Sequence, residues 1–400
     1  MRPVPESCKT RHWLSLDPQV AAPSPAPANS FTVMSYNVLC QKLIKRTLFP
    51  YANKSSLKWK TRRPLLLAEL THLRPDLVCL QEVYTKNWDD TFDMWFRREG
   101  YQAHLFQSVY KSHGVSIAWN KDRFAMVDQL GVNMDRSSPV EGELLETGNV
   151  ALVVALQRTD VEGAPGVIVS NTHLFWKPSA CYERLQQQIL LMRAINMMKQ
   201  KHPGYSVILC GDYNTTPDDA GYDLLTKPRP VALNEQQLDN LLPRSDDSDD
   251  DAESADESQA NDAGPGTATH EESVASQRRR LEILAQQAEA QLRVDTQRVD
   301  RMVAALLREC PEPLASCYST YADLDPSYHT DKWEGEPIYT NYTHWKGTLD
   351  YIFYSPDQGI RACQVLSLPE KAKLRPGLPN NTYASDHISL VARFELETPR

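Results

Sequence analysis

Six short polar motifs punctuate this chain, each at the end of a run of strand-forming residues. They are Ser35-Tyr36-Asn37, Leu80-Gln81-Glu82, Asn171-Thr172-His173, Gly211-Asp212-Tyr213-Asn214, Leu349-Asp350-Tyr351 and Ser385-Asp386-His387. A strand end is where a rigid scaffold can aim a side chain into a cleft. Between the motifs, β-rich runs alternate with helical patterns, so the chain reads as α/β. The periodicity predicts strands at 31–38, 77–83, 102–107, 115–120, 126–132, 149–156, 167–174, 206–210, 348–354 and 388–396. It predicts helices at 58–73, 88–98 and 181–201.

Charge bears on the class of ligand. The formal charge of −9 is opposite to the basic face that nucleic-acid binders normally present. Residues 245–275, however, hold eleven acidic side chains and no Lys or Arg. The remainder carries 43 basic against 41 acidic residues, a net of +2, so a nucleic-acid substrate is compatible with the chain.

The eight cysteines form no CxxC pair, and several sit inside apolar runs such as Leu77-Val78-Cys79-Leu80. They read as small buried hydrophobes of a reducing compartment. No run approaches the roughly 18 apolar residues of a membrane span, and no secretory core precedes the first strand. Cytoplasm or nucleus is the expected location, with Arg2, Lys9 and Arg11 leaving a mitochondrial presequence as the alternative.

Residues 1–30 end in a Pro/Ala-rich stretch and are expected to form an unpacked tail. A single domain is expected over 31–396, interrupted by an insert at 243–309. Its acidic part, 245–275, cannot bury enough apolar surface to fold. Its second part, 277–308, places Leu281, Leu284, Ala288, Leu292, Val299, Val303, Leu306 and Leu307 on a helical period and is expected to rest on the core. The insert divides no domains, because polar motifs lie on both sides of it.

Hydrolysis of a phosphodiester needs a cation to neutralise phosphoryl oxygens, an oriented water and donors for developing charge. Hard oxygen ligands suit Mg²⁺. The motifs supply acids and amides for a metal and two histidines for a phosphate. Taken singly each has an ordinary reading. An Asn after a strand forms turns, Glu82 can sit at a solvated strand end, Gly211-Asp212-Tyr213-Asn214 fits an Asx-type turn, and His173 and His387 fit structural roles. Their joint occurrence, in this order, is what points to chemistry.

As an ordered set the motifs resemble those of the endonuclease/exonuclease/phosphatase superfamily, over about 31–242 and 316–396. The resemblance implies a four-layer α/β sandwich with two central mixed β-sheets. It implies that Asn37, Glu82 and Asp386 place the metal, Mg²⁺ in one or two copies with Mn²⁺ able to substitute. Asp212 would position or deprotonate the attacking water, and Asn214 would hold the phosphate. His387, oriented by Asp350, and His173 would contact the phosphate from two sides. A carboxylate beside an imidazole fixes its tautomer, which gives the Asp350–His387 pairing a physical basis.

Finer motifs are similar to the nocturnin/Angel/Ngl group of deadenylase-like exoribonucleases. They include Asn37-Val38-Leu39-Cys40-Gln41, Leu57-Lys58-Trp59-Lys60-Thr61-Arg62, His173-Leu174-Phe175-Trp176-Lys177-Pro178 and Trp345-Lys346-Gly347-Thr348-Leu349-Asp350. In that group a proline at Pro178 and an aromatic at Trp345 sandwich the terminal base. Asn149 completes the substrate-binding set. The chain departs from the major cytoplasmic deadenylases of the group in having no N-terminal leucine-rich repeats. The expected ligand is an RNA 3′ end, poly(A) included, with no membrane and with an unidentified protein partner for the acidic insert. Two alternatives stand beside the 3′→5′ exoribonuclease. One is a phosphatase acting on a terminal 2′- or 2′,3′-cyclic phosphate, and the other is a non-catalytic RNA-binding adaptor.

Overall fold

The structure, a computed structural model, describes residues 3–17, 29–135, 145–243 and 274–396. The first of two sheets runs β1 (Trp13–Ser15), β14 (Ile360–Leu366), β15 (Leu390–Leu396), β2 (Ser30–Asn37), β3 (Leu77–Tyr84), β5 (His113–Asn120) and β4 (Tyr101–Gln107). The second runs β10 (Ala315–Ser316), β13 (Asp350–Tyr354), β9 (Ser206–Asp212), β8 (Val167–His173), β7 (Val150–Arg158) and β6 (Phe124–Asn133). Only β2–β3 and β8–β9 are parallel, so both sheets are mixed. A small hairpin, β11 (Asn341–Tyr342) and β12 (Lys346–Gly347), stands apart from them.

Each central strand is covered on both faces, which is why it reads as a continuous apolar run. Successive residues part company: Val33, Leu77, Cys79, Val154, Val169 and Ile208 fill the space between the sheets. Their neighbours Met34, Val78 and Leu80 face α1 (Trp59–Leu73) and the irregular helix that becomes α2 (Met94–Arg98). On the far side Val153, Ala155, Ile168, Val207 and Leu209 pack under α3 (Cys181–Lys201), α4 (Ala220–Thr226) and a later long helix. The layers are helix, sheet, sheet, helix: the four-layer sandwich with two mixed sheets. Among the described residues no helix is long and apolar enough to cross a membrane.

Several expectations need correction. The unpacked tail over 1–30 does not describe 3–17. There Trp13–Ser15 pairs antiparallel with Gln364–Leu366, and the Arg11 side chain is buried. Arg11 donates to the Ser367 carbonyl (2.8 Å), to Ser389 Oγ (2.7 Å) and to Glu69 Oε1 (3.2 Å). A lone basic residue in a polar stretch carries no sequence mark of such burial. The Pro/Ala-rich part lies outside the described residues. The helix expected over 88–98 begins as a π-type turn, Trp88–Asp93, and becomes α-helical only at Met94. Strand β14 was unpredicted because a bulge between Ala362 and Gln364 breaks its two-residue alternation.

Helix α5 (Glu235–Asn240) precedes the insert, which ends in α6 (Val274–Glu309). Among the described side chains of α6 it is the C-terminal ones that reach the core: Val299, Met302, Ala305 and Leu306 are buried, whereas Leu292 is 52% exposed. The apolar period thus continues beyond the surface available to cover it. Glu309 closes the helix onto α3 through Arg193 (3.0 Å) and Asn196 (2.8 Å to its carbonyl). The acidic run at 245–273 lies outside the described residues.

Arg11 and Glu69 form a buried ion pair with exposures of 1% and 6%. Breaking such a pair leaves one buried charge uncompensated, typically at about 3–5 kcal/mol. Arg11→Ala is therefore expected to lower the free energy of unfolding by about that much in urea titration. Wild-type stability in this variant would show that the N-terminal segment is a loose tail after all.

Candidate active site

The six motifs converge at one end of the sandwich, and the backbone that delivers them leaves regular geometry there. Strand β3 pairs with β5 in register up to Leu80↔Ser116 and resumes at Val83↔Gly114, so Gln81 and Glu82 form a bulge. Glu82 has φ +56°, Asn214 φ +47° and Leu39 φ +56°; these are three of the four non-glycine positive-φ residues described. Such conformations are held only where surroundings over-determine them, and they gather at functional sites.

The surroundings are specific. Arg62 of α1, fully buried, donates from Nε to the Ala384 carbonyl (2.5 Å) and from Nη2 to the carbonyls of Val38 and Leu39 (2.7 Å to the latter). One guanidinium thus ties the segment after Asn37 to the segment before Asp386. Ser385 Oγ adds a bond to the Asn37 carbonyl (2.6 Å).

Asn37 directs Nδ2 to both Glu82 Oε1 and Asp212 Oδ2, at 3.0 Å each, joining the two sheets. Its Oδ1 accepts from the Leu39 N–H (3.0 Å), so Asn37 presents a donor to the acids rather than an oxygen. Glu82 Oε2 accepts from the Cys40 N–H (2.8 Å). Burial raises the Glu82 pKa, but His173, His113 and these bonds outweigh it and leave the group below the ordinary value. Asp386 is pushed up to about 6, chiefly by burial, with the Glu82 charge adding to the effect.

Asp212, buried at the end of β9, is the hub. Its Oδ2 lies 3.6 Å from Nε2 of both His173 and His387, and its Oδ1 accepts from the Asn214 N–H (3.0 Å). Burial raises its pKa while the two histidines pull it back. His387 Nδ1 is 2.8 Å from Asp350 Oδ2, which also accepts from Thr340 Oγ1 (2.6 Å). Burial disfavours the charged ring, but Asp350 and Asp212 prevail and hold the His387 pKa well above its ordinary value. Asp212, Asp350 and His387 offer ligand atoms that lie within 4.8 Å of one another.

The remaining expected residues are placed as follows. Asn214 Nδ2 donates to the Leu174 carbonyl (2.9 Å) and Asn149 Nδ2 to the His173 carbonyl (2.6 Å). Asn149 therefore fixes the end of β8, and its Oδ1 is buried without a partner. Trp345 is 45% exposed on the turn of the β11–β12 hairpin. That hairpin is joined to the site by an Asn341–His387 bridge and by the Tyr342 N–H to the Asp386 carbonyl (2.9 Å). Pro178 is exposed on the segment leaving β8, whose carbonyls at Lys177 (2.6 Å) and Pro178 (3.1 Å) are held by buried Arg184. Thr340 and His113 were missed: neither belongs to a polar motif, and only the fold brings them to the acids. Arg62 belonged to a quoted motif, but without its role as a clamp.

The model of the Endonuclease/Exonuclease/phosphatase family matches residues 34–387, which include all six motifs. The chain belongs to this family. It is 29% identical to a probable RNA exonuclease of Schizosaccharomyces pombe, over 96% of this chain and 80% of that one. It is 30% identical to the probable RNA exonuclease NGL3 of Saccharomyces cerevisiae, over 91% and 76%. Among solved structures it is similar to ANGEL2, a 2′,3′-cyclic phosphatase, with a TM-score of 0.63, 22% identity and coverage of 97% and 99%. It is also similar to the human Nocturnin catalytic domain, with a TM-score of 0.58, 20% identity and coverage of 96% and 97%. The two structures show a shared fold. The chain is an enzyme, a hydrolase of this family.

The Asp350–His387 pair makes a protonation prediction. A raised histidine pKa stabilises the folded protein fully below the unfolded value near 6.5, and that stability is lost as pH rises through the folded value. Asp350→Asn is expected to lower the pH at which His387 titrates in ¹⁵N NMR. Stability should fall relative to wild type at pH 6 and the gap should narrow in alkali. An unshifted titration would show that Asp350 does not hold the imidazolium.

Proposed function

We propose that this protein is a Mg²⁺-dependent 3′→5′ exoribonuclease that removes nucleotides from an RNA 3′ end, poly(A) included. The observation that carries the reading is Asp212, buried between Asn37 and two imidazoles at the meeting point of both sheets. The RNA exonucleases named among its relatives support the substrate class.

The donor set fits a hard cation. Glu82, Asp212 and Asp386 bring carboxylates together in a buried cleft, and the Asp386 carboxyl is driven up to about 6 partly because Glu82 is near. Such repulsion is relieved by a divalent ion bound through oxygen. Glu82 and Asp386 would hold Mg²⁺, with Asn37 setting the spacing; the ion would neutralise phosphoryl oxygens and polarise the phosphorus. The chain's own residues do the rest. Asp212 accepts a proton from, or orients, the attacking water. His387 turns Nδ1 to Asp350 and leaves Nε2 to donate to the scissile phosphate. His173 reaches the same region from β8, and Asn214 is held beside it. Trp345 and Pro178 offer flat apolar surfaces for the terminal base.

The deciding assay uses 5′-labelled and 3′-labelled RNAs of differing tails with and without Mg²⁺. Stepwise shortening of 5′-labelled RNA and release of mononucleotides are expected only with the cation. Release of terminal phosphate without shortening would replace this reading by the terminal phosphatase. Binding without any turnover would support an adaptor.

Two sets of variants follow. Glu82→Gln and Asp212→Asn should each abolish Mg²⁺-dependent hydrolysis while remaining folded, and in Glu82→Gln the rise in melting temperature caused by Mg²⁺ should shrink. Wild-type turnover in either variant would remove that residue from the mechanism. Trp345→Ala should lower kcat/KM on adenosine-ended RNA by about tenfold to a hundredfold, since stacking on an aromatic is typically worth roughly 1–3 kcal/mol per base. Trp345→Phe should stay near wild type. A folded Trp345→Ala protein with normal kcat/KM would make the indole a packing residue.

A further inference from the structure

Strands β4 and β5 are joined by a tight turn at 108–112, and at its tip Val109 and Tyr110 are each 80% exposed. Single exposed apolar residues are ordinary, but this turn sits at the mouth of the site. Strand register places His113 opposite Tyr84 and Gly114 opposite Val83, so the chain turns just beyond Glu82. The turn is ordered: buried Ser108 accepts from the Tyr110 N–H at Oγ and from the Lys111 N–H at its carbonyl, both at 3.3 Å.

Lys111 then crosses the cleft. Its aliphatic stem lies over Gly148, where an added Cβ would meet Lys111 Cε at 3.0 Å. The next residue, Asn149, holds the His173 carbonyl. Lys111 is half-buried and makes no ion pair among the described residues, although Asp135 and Glu82 act on it at longer range. His113 Nδ1 is buried without a hydrogen-bond partner. An exposed aromatic, a half-buried cation and a buried ring nitrogen thus lie on one segment near Glu82, the latter two without a polar partner among the described residues.

Their position relative to Trp345 matters. Across the first sheet the order is β15, β2, β3, β5. The Trp345 hairpin is fastened to residues 386–388, which lead into β15, and Tyr110 leaves from β5. The two strands they are attached to therefore flank β2 and β3, which carry Asn37 and Glu82, and stand about three strand spacings or ~14 Å apart.

We propose that the β4–β5 turn is a second nucleotide-binding element, in which Tyr110 stacks on a base and Lys111 meets a backbone phosphate. That nucleotide lies across the scissile bond from the base held at Trp345. The inference rests on the exoribonuclease reading and narrows it: the substrate is a single strand that continues past the cleavage site, rather than a mononucleotide or an isolated terminal phosphate.

The test measures kcat and KM on oligoadenylates of two, three, five and eight nucleotides with Mg²⁺, for wild type, Tyr110→Ala, Tyr110→Phe and Lys111→Gln. In wild type KM should fall as the RNA lengthens. In Tyr110→Ala that fall should flatten, with a loss of roughly five- to a hundredfold in kcat/KM on the longer RNAs, and Tyr110→Phe should restore it. Lys111→Gln should reduce the slope of log KM against log salt by about 0.7, the share of one single-strand phosphate. Melting temperature checks folding, which an 80% exposed Tyr110 side chain should not govern. Wild-type length dependence in Tyr110→Ala, or a wild-type salt slope in Lys111→Gln, overturns the proposal. Failure of the parent reading would look different, because the wild-type protein itself would shorten no RNA of any length.

Discussion

The site depends on an interruption of β3 and on the polar bridge that stabilises it. At the Gln81–Glu82 bulge the β3–β5 ladder opens, and the carbonyls of Leu80 and Ser116 face the opposite sheet. Asn171 of β8 crosses the core to meet them, donating from Nδ2 at 2.9 and 2.8 Å. Gln81 returns the contact to Asn171 Oδ1 (2.8 Å) and to Ser35 Oγ (3.1 Å). Buried polar groups left unmade would cost roughly 1–3 kcal/mol each, so this network also selects one distance and one register between the sheets. That register is what lets Asn37 from one sheet reach Asp212 from the other. Asn171, the first residue of the motif that ends in His173, is therefore a joint between sheets.

A second constraint acts from the outer helical layer. Three residues with left-handed backbone surround the acids, and each would relax if its neighbours let it. Arg62 prevents this around Leu39, filling its guanidinium with carbonyls of Val38, Leu39 and Ala384 and with Gln41 Oε1 (3.1 Å). Burial lowers its pKa to about 10, against the opposing pull of Asp386, yet it stays charged at neutral pH. A lysine, with a point charge and three donors, could not span the same fork of acceptors. The positive charge lies behind the carboxylates rather than among them, so it steadies the acids without occupying the place a substrate phosphate needs.

The layers and the chemical residues were legible for the same reason. Strands covered on both faces read as unbroken apolar runs, and a polar residue ending such a run is conspicuous. Asn37, Glu82, His173, Asp212, Asp350 and His387 all carry that mark, and the structure gathers them. Residues whose importance comes from the interior of an element carry no such mark. Thr340 sits in an irregular segment, Arg62 in a run with the charged Lys60 and Arg63, and Arg11 in a stretch resembling a tail. Asn149, expected in the substrate-binding set, donates its Nδ2 to the His173 carbonyl and keeps a buried Oδ1 without a hydrogen-bond partner. The long α6 misled in the other direction. Its apolar spacing begins well before Val299, yet Leu292 is exposed while Val299, Met302 and Leu306 are buried, because periodicity records a face and not what lies opposite it.

The balance of charge in the cleft explains why an acidic protein can take an anionic substrate. Glu82, Asp212, Asp350 and Asp386 converge, and they strongly favour the proton on His387. Without a cation, a phosphodiester approaching these acids meets a field of its own sign in a medium that screens weakly. The same arrangement would make a divalent ion held by Glu82 and Asp386 part of the binding site for phosphate, because its charge would reverse the local sign. Basic residues consequently have little place at the centre and appear at the rim and behind the walls. The acidic run at 245–275 belongs to the same logic: its eleven charges account for the chain's negative total and leave a nearly neutral remainder, so overall charge draws no anion to the cleft and local geometry has to do so.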